Sequence, residues 1–111
     1  MAVKRGTTPI YTLNVGGKSL KKCKVFVTFE QDGKAITKTG DDIDVENKVD
    51  ESGEPLSVIS VSLTQSDTLG FDTGTARVQV NWIDYLGNRG ETDIETINFE
   101  PTLLDEVIRY E

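Results

Sequence analysis

The chain has 111 residues, with 12 basic and 19 acidic side chains, no histidine and a single cysteine, for a net charge of −7. That length is one domain with one ordinary core, and a lone cysteine without histidine excludes an internal disulfide and a Cys/His zinc cluster. The charge argues against nucleic acid or an anionic membrane as the partner, and no apolar run approaches the ~20 residues of a membrane helix.

Met1-Ala2-Val3-Lys4-Arg5-Gly6 lacks an apolar stretch, which predicts no secretory signal. Arg5-Gly6-Thr7-Thr8-Pro9 reads as a strand-entry arm, with Gly6 free to bend, Pro9 fixing φ, and Arg5 able to fork onto a carboxylate. The sequence leaves open whether the arm docks on its own domain or on a neighbour. Tyr11, Leu13 and Val15 then alternate with polar residues until Gly16-Gly17 stops the run. Val25, Val27 and Phe29 repeat the pattern, and Asp32-Gly33 supplies the positive-φ pair of a type I′ hairpin turn, with Lys34–Lys38 returning.

The segment 41–56 differs in character. Asp41, Asp42, Asp44, Glu46, Asp50, Glu51 and Glu54 face one cation, Lys48, and Ser52-Gly53-Glu54-Pro55 breaks regular structure. It is predicted to be an edge strand running into a mobile acidic loop. A calcium site is the sharper reading of these acids, but the spacing of a calcium loop is missing and a strand would hold the carboxylates ~7 Å apart. A solvated edge, shielded from edge-to-edge pairing by charge, fits better.

Ile59, Val61 and Leu63 define the next strand, and Leu63-Thr64-Gln65-Ser66-Asp67-Thr68-Leu69-Gly70-Phe71 is the most informative stretch. There a strand ends and Thr64 caps a single helical turn, with a carboxylate at Asp67 three residues on. Leu69 and Phe71 then turn inward, as a chain does when it crosses between the sheets of a sandwich. Ala76, Val78, Val80 and Trp82 alternate cleanly, which places Trp82 with the core. Tyr85, at the strand end, is the open aromatic candidate for stacking on a sugar or peptide. Leu86–Gly90 is a tight connection, and a phase slip between Ile94 and Ile97 predicts a β-bulge. Thr102–Asp105 repeats the capping pattern, so a second helical turn is expected, with Val107 and Ile108 docked on the core edge. Seven to eight short strands predict an all-β antiparallel sandwich filling 1–111, with a small barrel as the alternative.

Charge is unevenly placed: residues 1–29 carry +6 and the remainder −13. Such a chain either neutralises within itself or presents a bipolar surface suited to head-to-tail contact. Cys23 lies among Lys21, Lys22 and Lys24, but with no histidine partner it reads as a strand-edge residue. No catalytic residue, metal or cofactor is assigned.

The Arg5–Pro9 arm, the Leu63–Phe71 corner, the Arg77-Val78-Gln79-Val80 strand and the closing Val107-Ile108 pair come in an order that resembles small phage and prophage tail or baseplate proteins of Gram-positive hosts. The corner also resembles that of immunoglobulin domains, and the chain is similar to the immunoglobulin-like N-terminal domain of baseplate upper proteins. The resemblance implies a non-enzymatic virion subunit of immunoglobulin-like fold, assembled in the host cytoplasm. Its partners would be other tail proteins or further copies of itself. Arg5, Thr7, Thr8 and Pro9 would form an interaction arm and Thr64, Asp67, Leu69 and Phe71 a structural corner, while Tyr85 stays a separate interaction candidate on its place at the strand end. Two other readings stand beside it: a carbohydrate- or surface-binding module working through Tyr85, and an acidic inhibitor of a basic enzyme working through 41–54.

Overall fold

Alternating residues become strand wherever one face can be buried. The computed structural model describes residues 2–110. In chain order it contains β1 (Ala2–Lys4), β2 (Ile10–Gly16), β3 (Lys24–Gln31), β4 (Lys34–Thr39), β5 (Ile43–Val49), β6 (Pro55–Ser62), α1 (Gln65–Leu69), β7 (Gly74–Ile83), β8 (Arg89–Glu91) and β9 (Glu95–Glu100). One sheet has the order β2-β6-β5, and the other β1-β9-β7-β3-β4 with β8 also paired to β7. These orders match the B-E-D and G-F-C-C′ sheets of the immunoglobulin scheme. The fold is an all-β, immunoglobulin-like sandwich, and two separate sheets replace the barrel alternative.

The core is the set of inward residues that the period-2 pattern marks: Tyr11 and Leu13 from β2 and Ile59 and Val61 from β6 in one sheet, with Val27 and Phe29 from β3 and the inward residues of β7 and β9 opposite. Tyr11 meets Phe29 edge to face at 5.7 Å, and Phe71 stacks on Phe99 at 4.8 Å. Each such fully buried side chain contributes roughly 1.5–3 kcal/mol against exposure. Asp32 and Gly33 both take positive φ, 50° and 86°, as the I′ turn requires.

Several expectations are corrected. Two three-residue strands, β1 and β8, raise the count to nine, and β1 runs parallel to β9 rather than antiparallel. β1 escapes sequence reading because three residues carry no period, and β8 because it lies within the expected connection. The β-bulge falls earlier than expected: Glu91 pairs with Asn81 and Glu95 with Val78, so Thr92, Asp93 and Ile94 stand opposite only Gln79 and Val80. Ile94 is therefore exposed rather than inward. No helical turn forms at Thr102–Asp105, and Val107 and Ile108 are exposed rather than docked.

The acidic segment begins with a 3₁₀ turn at Gly40–Asp42, continues as edge strand β5, and closes on β6 through a hydrogen-bonded turn rather than an irregular loop. Asp50 Oδ1 accepts from the Ser52 and Glu54 amides at 2.8 and 3.0 Å and organises that turn.

Trp82 is half-buried, lying across its cross-strand partner Gly90. A Cβ at Gly90 would stand 2.5–2.6 Å from three atoms of the indole. Gly90→Ala is expected to lift the ring off β8 and cost about 1–2 kcal/mol. The single tryptophan reports this as a red-shifted emission, and an unshifted spectrum with unchanged stability would refute it.

Candidate interaction surface

Three segments distant in sequence converge at one end of the sandwich: the Arg5–Pro9 arm, the corner around α1, and the stretch 101–110 that follows β9. α1 is one turn long because Thr64 and Asp67 cap it reciprocally. Thr64 Oγ1 accepts from the Asp67 amide at 3.1 Å, and Asp67 Oδ2 accepts from the Thr64 amide at 2.8 Å. Lys38 Nζ, reaching from β4, lies 2.6 Å from Asp67 Oδ2, with both side chains largely buried. Burial pushes the Asp67 carboxyl up, but Lys38 and the hydrogen bonding of Thr64 outweigh it and hold the group below the ordinary aspartate range.

The arm docks on its own domain. Arg5 Nε donates to the Phe71 carbonyl, and Nη2 donates to the Leu69 carbonyl and to Asp105 Oδ1, each at 3.0 Å. The fully buried Thr68 hydroxyl accepts from the Gly6 amide at 2.9 Å and donates to the Thr7 carbonyl at 2.8 Å. Gly6 bends the arm at a φ of 83°, and a Cβ there would sit 3.3 Å from Leu69. Thr7 Oγ1 donates back to the Lys4 carbonyl, Thr8 is exposed, and the Pro9 carbonyl accepts from the Leu63 amide at 3.0 Å.

Gln65 grips the last segment by its backbone. Its Nε2 donates to the Ile108 carbonyl at 3.0 Å, and its Oε1 accepts from the Ile108 amide at 2.8 Å. Residues 103–110 thus form a strap pinned by Arg5 and Gln65, with Leu103, Leu104, Val107, Ile108 and Tyr110 exposed. Gln31 pins Asp72 in the same two-bond manner.

The structure therefore brings Arg5, Thr7 and Pro9 of the arm against the corner of Thr64, Asp67, Leu69 and Phe71, a juxtaposition the sequence left open, and Leu69 is only half-buried there. It does not bring Tyr85 to them. Tyr85 stands 88 % exposed on the turn after β7, while the arm binds just before the start of that strand. β7 has ten residues, so roughly 30 Å of strand lies between them. Lys38, Gln65 and Thr68 carry much of the junction and were not singled out in the sequence. Gln65 and Thr68 stand within the corner motif, but neither carries a mark of a long-range partner.

Five ion pairs form among the described residues, and Arg5 is the sole member of the basic first 29 that enters one. Lys18, Lys21 and Lys22 point to solvent from the β2–β3 connection. Among the described residues no group of three or more His, Cys, Asp or Glu is placed to hold a metal, and no buried side-chain polar atom lacks a partner. A recess of about 510 Å³ forms an apolar groove between β3–β4 and β5, lined by Val25, Phe26, Ile43 and Val45.

The fold defines the chain as an immunoglobulin-like β-sandwich with a self-docked arm. No family model matches the sequence, and no curated protein matches it. Among solved structures the chain is similar to AggA, the major subunit of aggregative adherence fimbriae type I from Escherichia coli. The two share 15% identity over 91% of this chain and 88% of that one, with a TM-score of 0.42. The assignment as a phage tail or baseplate subunit is corrected accordingly: the comparison returns a fimbrial major subunit instead of a tail protein.

Proposed function

We propose that this chain is a non-enzymatic structural subunit that works by protein–protein contact across its outer surface. The strap carries this reading. Five large apolar side chains stand exposed on a segment whose backbone Gln65 holds at Ile108 and whose Asp105 carboxylate pairs with Arg5. A pinned backbone with outward apolar side chains is a preorganised contact, because the ordering cost of the segment is met before a partner arrives. The exposed lysines of the β2–β3 connection and the acidic β5 edge supply opposed potentials for steering.

The test is sedimentation velocity on the full chain and on Leu103→Ser/Leu104→Ser/Val107→Ser/Ile108→Ser. The variant is expected to keep the melting temperature and to lose the larger species that the full chain forms. Identical mass distributions for both proteins would overturn the strap's role.

A further inference from the structure

β2 is paired on one side only, through Ile10–Gly16 to β6, and ends its sheet. Every other outer strand is short or charged. β1 has three residues, β4 carries Lys34 and Lys38, and β5 carries Asp44, Glu46 and Lys48. β2 reads Ile-Tyr-Thr-Leu-Asn-Val-Gly, seven residues with no charge and no proline. Natural edge strands are normally blunted by such features, and an unprotected edge is a template for another strand. In the seven-strand immunoglobulin arrangement the first strand covers this edge. Here β1 pairs instead with Asn98–Glu100 of the opposite sheet, so the edge stays open. A groove of about 340 Å³ runs beside it, bounded by Leu13–Gly16 on one side and by Glu91, Asp93 and Glu95 on the other.

We propose that the open β2 edge pairs antiparallel with β2 of a second copy, joining two three-stranded sheets into one of six. The strand suits itself. Pairing about Leu13 sets Ile10 opposite the second copy's Gly16 and Thr12 opposite its Asn14, and no charges meet. Ile10, 64 % exposed in the single chain, gains cover. Charge favours the same orientation. The antiparallel two-fold brings the start of β2, where the arm and the exposed Lys4 lie, toward the end of β2 in the second copy. That end is the one walled by Glu91, Asp93 and Glu95. The contact is isologous and closes at two copies.

The inference rests on the assembly reading but fails separately from it, because the strap builds larger species and β2 stops at a dimer. Sedimentation velocity of the full chain over a wide concentration range is the measurement. The strap variant should still dimerise. Thr12→Lys/Asn14→Lys sets lysine against lysine twice at exposed positions, so the fold should hold by circular dichroism. Its dimer should weaken roughly tenfold or more. Thr12→Lys/Asn14→Glu sets opposite charges together in the same register and should restore the dimer. A chain that stays monomeric throughout overturns the proposal. So does a dimer indifferent to both charge patterns, or an edge that accepts only a strand from a different protein.

Discussion

Arg5→Ala is expected to destabilise the domain by about 2–4 kcal/mol, since hydrogen bonds to a charged group contribute roughly 1.5–3 each and a stranded buried acceptor costs about 1–3. The guanidinium is 14% exposed and serves three acceptors in three places: the Phe71 and Leu69 carbonyls and the Asp105 carboxylate. Alanine leaves both carbonyls at the corner without donors and frees the strap at one of its two pins. Arg5→Lys separates charge from geometry. An ammonium on a flexible stem cannot reproduce a fork that reaches two carbonyls and a carboxylate together. Lysine should therefore recover well under half of the loss. Urea unfolding measures both, and amide exchange at Ile108 follows the strap. A loss below about 0.5 kcal/mol, the range of ordinary surface substitutions, would mean that the arm is held by Thr68 and β1 alone.

How much of this the sequence foretold depends on the range of each interaction. β2, β3 and β7 were legible because strict alternation reports a half-buried strand directly. The Asp32-Gly33 turn was legible because few residue pairs tolerate two positive φ values. The Thr64–Asp67 cap was legible for the same local reason. Lys38, Thr68 and Gln65 were not, because their partners lie 29, 61 and 43 positions away and nothing in the local pattern points there. Val107 and Ile108 misled because apolar residues near a chain end read as core, and the backbone grip of Gln65 on Ile108 leaves their side chains outside. The open edge of β2 was invisible because it depends on which sheet β1 joins, a choice between two pairings that three residues do not encode.

The Lys38–Asp67 pair supplies the second large effect and a pH signature. In the folded chain Asp67 is held below the ordinary aspartate range, so the unfolded chain binds more protons at acidic pH. Stability from this group is then fully present above the unfolded value and is lost as pH falls through the lower folded value. Lys38→Met removes the cation from a carboxylate that is itself only 17 % exposed. Burial, until then outweighed, loses its strongest opponent, and the cost at pH 7 is expected to be about 2–3 kcal/mol, below the ~3–5 of a fully buried broken pair. Acidification should narrow the gap between the two proteins, because a protonated Asp67 gains little from Lys38. Urea midpoints at pH 7 and near pH 3 give the comparison. If the gap is as wide in acid as at neutrality, the loss belongs to the packing of the lysine stem across the corner and not to its charge.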